Sequence, residues 1–113
     1  QMRDFIHIDD CVEGIISTMD KINDGSALNL STGIYTNFID LASSAADIVG
    51  YKPLVKGLSN KPSGVFARAG DVSKQKKFGF NHRILLRQGL RKCLDYLDGI
   101  LWIMFNLNTH LQN

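Results

Sequence analysis

The sequence predicts a mixed α/β fold in which helices cover a few short strands. Three observations point there. Short apolar runs alternate with segments of helical apolar spacing. Helix-start residues and glycine stops punctuate those segments. The composition, 44% hydrophobic and 21% charged over 113 residues, is that of one small globular unit. A net charge of only +2 does not indicate a nucleic-acid binder that works through a basic face. The longest apolar run, Ile100 to Phe105, is far shorter than the roughly 20 residues of a membrane span.

The first element is Phe5-Ile6-His7-Ile8, which reads as a short strand that ends at Asp9-Asp10. Asp10 with Glu13 has capping-box spacing, and Val12, Ile15, Ile16, Met19 and Ile22 recur as one face of a helix over about residues 10–22. Asn23-Asp24-Gly25 closes it. Ala27-Leu28-Asn29-Leu30 is apolar enough for a second strand, closed by Ser31-Thr32-Gly33. Asn37 caps a second helix, whose expected buried stripe is Phe38, Leu41, Ala42, Ala45, Ile48 and Val49, with Gly50 at its end. Pro53 to Leu58 reads as an edge strand, because proline opens it, and Ser59 to Gly64 as a loop. Asp71 or Ser73 caps a short helix that stops at Gly79. A last helix carries Leu86, Leu90, Cys93, Leu94, Leu97 and Leu101 on one face.

Three short strands make a meagre sheet with open edges, so the sheet is expected to belong to something larger or to be completed by another chain. The opening Gln1-Met2-Arg3-Asp4 reads like the middle of a segment, which suggests a fragment, and no signal-peptide pattern comes after it. Cys11 and Cys93 have neither metal-ligand nor disulfide-scaffold spacing and are expected to be buried thiols of a reducing compartment, the cytoplasm. The expected division is a domain over residues 1–98 and an apolar tail over 99–113.

No self-contained active site is visible. The ten glycines never fall at G-x-G-x-x-G spacing, and Tyr35, Tyr51 and Tyr96 are followed four residues later by Ile39, Val55 and Ile100 rather than lysine. His7, His82 and His110 are scattered, and Ser43-Ser44 sits inside a helix without a nucleophile elbow. No catalytic, cofactor-binding or metal residue is therefore assigned. Two arginine-centred segments remain, Arg3-Asp4-Phe5 and Arg68-Ala69-Gly70-Asp71. A guanidinium is a planar fork of donors suited to phosphate oxygens, and helix-start amides add to it. The plainer alternative pairs each arginine with its neighbouring carboxylate, Asp4 or Asp71, at the surface. Asp9-Asp10 is expected to cap a helix, His7 to be structural, and Lys74, Lys76 and Lys77 to form a solvated face.

Taken in order, these segments form a pattern. Arg3-Asp4-Phe5-Ile6-His7-Ile8-Asp9-Asp10-Cys11-Val12-Glu13-Gly14 resembles the R-D-F-I-H-V-D-D-x-x-x-G segment of nucleotide-sugar epimerases and dehydratases, which are extended short-chain dehydrogenase/reductases. Asn29-Leu30-Ser31-Thr32-Gly33 resembles their N-L-G-T-G, and Asn37 to Ala42 their S-L-x-E-L-A. Arg68-x-x-Asp71-x-Ser73-Lys74 with Phe78-Gly79-Phe80 resembles R-x-x-D-x-S-K…L-G-W, and Gly89 to Lys92 the G-L-R-K of a last helix. Within the family, the Pro-x-Gly-Val stretch and Asp9 to Gly14 look nearest to GDP-mannose 3,5-epimerases.

The resemblance implies the C-terminal, substrate-binding lobe of an NAD(P)-dependent enzyme whose absent Rossmann half holds the cofactor and a catalytic Tyr-x-x-x-Lys. It implies that Arg3, Arg68 and Asp71 contact the diphosphate or ribose of a nucleotide-diphosphate sugar, and that the parent is a homodimer. The family's reaction draws hydride from the sugar to NAD, so that inversion, elimination or reduction proceeds through a keto intermediate. None of those catalytic residues is in this chain, which alone is expected to bind no NAD(P) and to be inactive. The alternative is a stand-alone nucleotide-sugar-binding or dimerisation module. Some positions depart from the pattern: Ser31 replaces a glycine, Phe80 a tryptophan and His82 a proline, and Leu85 stands where a serine cap is common. The segment from Asp98 to Asn113 matches no part of it; its apolar run either extends the last helix onto a partner surface or is a fortuitous extension.

Overall fold

Met2 and Arg3 form the central strand, β1, of a three-stranded sheet. The computed structural model describes the backbone of residues 1–110 and the side chains of residues 1–102. Helix α1 (Ile8–Met19) comes next, then β2 (Thr36–Asn37), α2 (Phe38–Ile48), β3 (Ala67–Arg68), α3 (Ser73–Lys77) and α4 (Leu86–His110). The strand order is β2-β1-β3. β2 runs antiparallel to β1, with Arg3 opposite Thr36, and β3 runs parallel to it, with Arg3 opposite Arg68. The fold is the expected mixed α/β arrangement, a small sheet with four helices.

The strands, however, lie elsewhere than the apolar runs suggest. Phe5 to His7, Ala27 to Leu30 and Pro53 to Leu58 are all irregular. A strand is defined by the edge it pairs with, and among the described residues these runs meet none; the ladder is instead built from two residues at each of three other places.

Helix α1 starts earlier than its capping box indicates. His7, with extended backbone (φ −73°, ψ 145°), is the N-cap, and its Nδ1 accepts the Asp9 N–H at 3.2 Å. Asp10 is buried and does something else: its carboxylate accepts the N–H groups of Arg83 (3.1 Å) and Ile84 (2.8 Å), fixing the lead-in to α4. Asp9 remains at the surface and pairs with Lys92 at 2.8 Å. The missing serine cap at Leu85 is replaced from inside α4, where the Gln88 Oε1 accepts the Leu85 N–H at 2.9 Å.

The larger correction concerns which face α1 buries. Its buried residues are Asp10, Gly14 and Thr18, whereas Val12, Ile15, Ile16 and Met19 are 45%, 53%, 61% and 62% exposed. The four-residue spacing of Asp10, Gly14 and Thr18 selects a thin face, and Gly14 lets it approach closely. A Cβ there would lie 2.8 Å from a Leu30 methyl and 3.1 Å from the Phe80 ring. Phe80 is the one buried hydrophobic among the described residues. Helix α2 begins as expected, with Asn37 Oδ1 accepting the Asp40 N–H at 2.7 Å, and ends before Gly50 at φ +75°. Its apolar stripe is only half covered: Leu41, Ala45 and Ile48 are half-buried, and Phe38, Ala42 and Val49 are exposed. On α4, Leu86, Leu90 and Leu94 are half-buried, while Leu97 and Leu101 are exposed.

Both cysteines are free, and Cys93 is exposed and Cys11 half-buried, against the expectation of buried thiols. The accessible surface is 8799 Å², where a compact chain of this mass exposes about 6,200 Å². Helix α4 runs through residue 98 without a break. The side chains of Ile103, Met104 and Phe105, part of the apolar run, lie outside the described residues. No helix among the described residues is long and apolar enough to cross a membrane.

Candidate functional site

The parallel register of β1 and β3 places Arg3 and Arg68, 65 positions apart in the sequence, directly opposite each other. Opposed residues on neighbouring strands project to the same face. Neither arginine takes the neighbouring carboxylate. Arg3 Nη1 donates to the carbonyls of Met2 (2.6 Å) and Val65 (3.0 Å), and Nη2 to Gln1 Oε1 (3.2 Å). These use three of the five guanidinium N–H groups. The guanidinium carbon also lies 6.0 Å from the centre of the Phe38 ring, and Phe38 packs edge-on to Phe5 at 5.9 Å. Arg68 is exposed and makes no ion pair among the described residues.

The two aspartates beside the arginines are committed to backbone N–H and side-chain hydroxyl groups. Asp4 accepts from Ser31 Oγ (2.5 Å), Thr32 N (3.0 Å), Thr32 Oγ1 (2.6 Å) and Gly33 N (2.7 Å). Burial pushes its carboxyl up, but these hydrogen bonds outweigh burial and hold it below the usual 3.8. Asp71, three residues after Arg68, accepts from Ser73 Oγ (2.6 Å) and Ser73 N (2.8 Å), but against expectation neither Asp71 nor Ser73 is the N-cap of α3, which is Val72 without a side-chain cap bond. The two Ser73 bonds keep the Asp71 carboxyl below the usual 3.8 as well. So Arg3 and Arg68 are brought together, and Asp71 comes after them at the turn into α3.

Residues that carried little sequence signal hold this arrangement. Gln75, 1% exposed, clamps Ser31 on both sides: its Oε1 accepts the Ser31 N–H and its Nε2 donates to the Ser31 carbonyl, each at 2.8 Å. Set among Lys74, Lys76 and Lys77, it reads in the sequence as one more solvated side chain. Ser31 does carry a signal, since it stands where the family pattern has glycine. Lys74 is not purely solvated either; its ammonium donates to Ser26 Oγ (2.7 Å) and the Ala27 carbonyl (2.6 Å).

The β3-to-α3 connection does not fit a dinucleotide's pyrophosphate. The β3-to-α3 connection holds a single glycine, Gly70, and its free side is already filled, because a Cβ there would lie 2.8 Å from Ser31 Cβ and Oγ. No backbone cradle for a pyrophosphate forms there. Nor do the described residues group three metal-ligating side chains.

No protein-family model matches the chain. It is 32% identical over 98 residues to GDP-L-fucose synthase of Escherichia coli (strain K12), covering 79% of this chain and 30% of that protein. It is 27% identical over 101 residues to putative GDP-L-fucose synthase 2 of Arabidopsis thaliana, covering 88% of this chain and 31% of the other. UDP-glucuronic acid decarboxylase 3 of Arabidopsis thaliana is 29% identical over 91 residues, 80% of this chain and 26% of that protein. Among solved structures, the Bordetella bronchiseptica enzyme WbmF in complex with NADH superimposes with a TM-score of 0.72 at 26% identity, over 94% of this chain and 32% of that one. The chain thus spans 26–31% of the length of these curated relatives.

Proposed function

We propose that this chain, a relative of the nucleotide-sugar enzymes of the extended short-chain dehydrogenase/reductase family, is the nucleotide-sugar-binding portion of an NAD(P)-dependent epimerase, dehydratase or reductase. The observation that carries this reading is the β1–β3 register, which sets Arg3 opposite Arg68. Two guanidinium groups on one face suit the two phosphates of a nucleoside diphosphate, each taken by a planar fork of donors. Asp71, held by Ser73 at the turn beyond Arg68, supplies a carboxylate toward a ribose hydroxyl. The chain orients the nucleotide end of the substrate. Hydride chemistry belongs to a cofactor held elsewhere, and NAD(P) supplies the acceptor for the sugar's hydride when it is bound there.

Relatives named as GDP-L-fucose synthases make guanosine diphosphate the natural probe. Titration calorimetry of the chain with GDP is expected to show saturable binding that Arg68→Ala weakens by about 1.5–3 kcal/mol, the worth of a charged hydrogen-bond partner. Unchanged affinity in Arg68→Ala would overturn the reading.

A further inference from the structure

The pairing of β1 with β3 is only two residues long, ending at Arg3 and Arg68. Beyond those residues no ladder bond holds the two strands, yet this is where their spacing matters most. Ser31 spans the gap. Its hydroxyl donates to Asp4 Oδ2 at 2.5 Å, one residue after Arg3, and accepts the Gly70 N–H at 3.2 Å, two residues after Arg68. A side chain from a third segment thus supplies the rung that the ladder lacks. The fit is close on the Gly70 side, where any Cβ would meet Ser31. Ser31 itself cannot drift, because Gln75 holds both its N–H and its carbonyl.

We propose that Ser31 is a positioning residue for the two-arginine seat, its hydroxyl setting the distance between the strand that carries Arg3 and the strand that carries Arg68. The proposal rests on Arg3 and Arg68 being the anion donors. It assigns a purpose to the one place in this region where the chain departs from the family's glycine: a serine gains a bond to each strand that a glycine cannot make. Removing the hydroxyl leaves the Gln75 clamp and the Asp4 bonds to Thr32 and Gly33 intact, so the backbone of Ser31 keeps its place while the link through to Gly70 is cut.

The test is a cycle of four proteins, wild type, Ser31→Ala, Arg68→Ala and the double variant, each checked for helicity and then titrated with GDP. Ser31→Ala is expected to weaken GDP binding about tenfold, and to cost nothing further once Arg68 is already alanine. Wild-type affinity in Ser31→Ala overturns the proposal. So does an equal loss in both backgrounds, which a general loosening of the fold would give. An unchanged Arg68→Ala instead removes the reading of the arginines, and the positioning role falls with it. Should Ser31→Ala fail to fold, Gly70→Ala decides: it keeps every polar group but drives a methyl against Ser31, and GDP affinity is expected to fall similarly, whereas wild-type affinity there overturns the proposal.

Discussion

The surroundings of Ser31 and the outer face of α1 are organised in opposite ways. Around Ser31 the buried groups are polar, and among Asp4, Ser31, Thr32, Gly33, Gly70 and Gln75 nearly every donor finds an acceptor. No buried side-chain nitrogen or oxygen among the described residues lacks a partner. On α1, by contrast, Val12, Ile15, Ile16 and Met19 face outward with about half or more of their surface in solvent. The difference separates two sources of order. Hydrogen bonds fix geometry but contribute little net stability, about 0.5–1.5 kcal/mol each. Apolar burial drives compaction, and in this chain much of it has not been realised.

Gln75→Leu should have the largest effect. It strands a buried N–H and a buried carbonyl on Ser31, and a loss of about 3 kcal/mol in urea denaturation is expected. A loss below about 0.5 kcal/mol would erase the contrast between the two regions, because the polar cluster would then not be holding the fold. The pH dependence is next. Asp4 has a folded-state pKa below its usual 3.8, so its contribution is fully present above that value and drains away as pH falls through the lower folded value. Denaturation midpoints tracked from neutral pH into acid should show this limb, and Asp4→Asn should flatten it while lowering stability near neutrality. Smallest of all is Ile16→Lys, expected to shift stability by no more than about 0.5 kcal/mol in the chain alone. A cost above about 2 kcal/mol would mean that the outer face of α1 is covered in solution.

Some helix ends were readable from local signals, although the Asp10–Glu13 box and Asn23-Asp24-Gly25 misplaced both ends of α1, which runs from Ile8 to Met19. Asn37 with Asp40, Gly50, and the stop before Gly79 (φ +84°) all rest on a few consecutive residues, and the structure agrees. Strands depend on distant partners, and Ala27 to Leu30 illustrates the cost: the run has the right residues and finds no edge. The inverted burial of α1 was unreadable for a related reason. Periodicity identifies an apolar face but not whether anything in the same chain covers it, and the close packing of Gly14 on Leu30 and Phe80 needs three separated segments at once. The arginines could be named from their residue types and motif order, whereas their apposition required the register. Gln75 was hidden by its lysine neighbours, since nothing in a run of polar residues says which of them turns inward.

The Ser31 cluster also sets an order of events. Its bonds join residues 27, 39 and 44 positions apart, and Asp10 reaches 74 positions to Ile84. Loops of that length carry an entropic cost, and although Asp4 can meet Ser31 early, the bonds of Ser31 to Gly70 and Gln75 and of Asp10 to Ile84 wait for those later residues. Helices α1 and α2 can form early from local signals, but the register of β1 against β3 waits for the far end. The amides of Ser31, Thr32, Gly33 and Gly70 should therefore gain and lose protection from solvent exchange together, as one cooperative unit that assembles last.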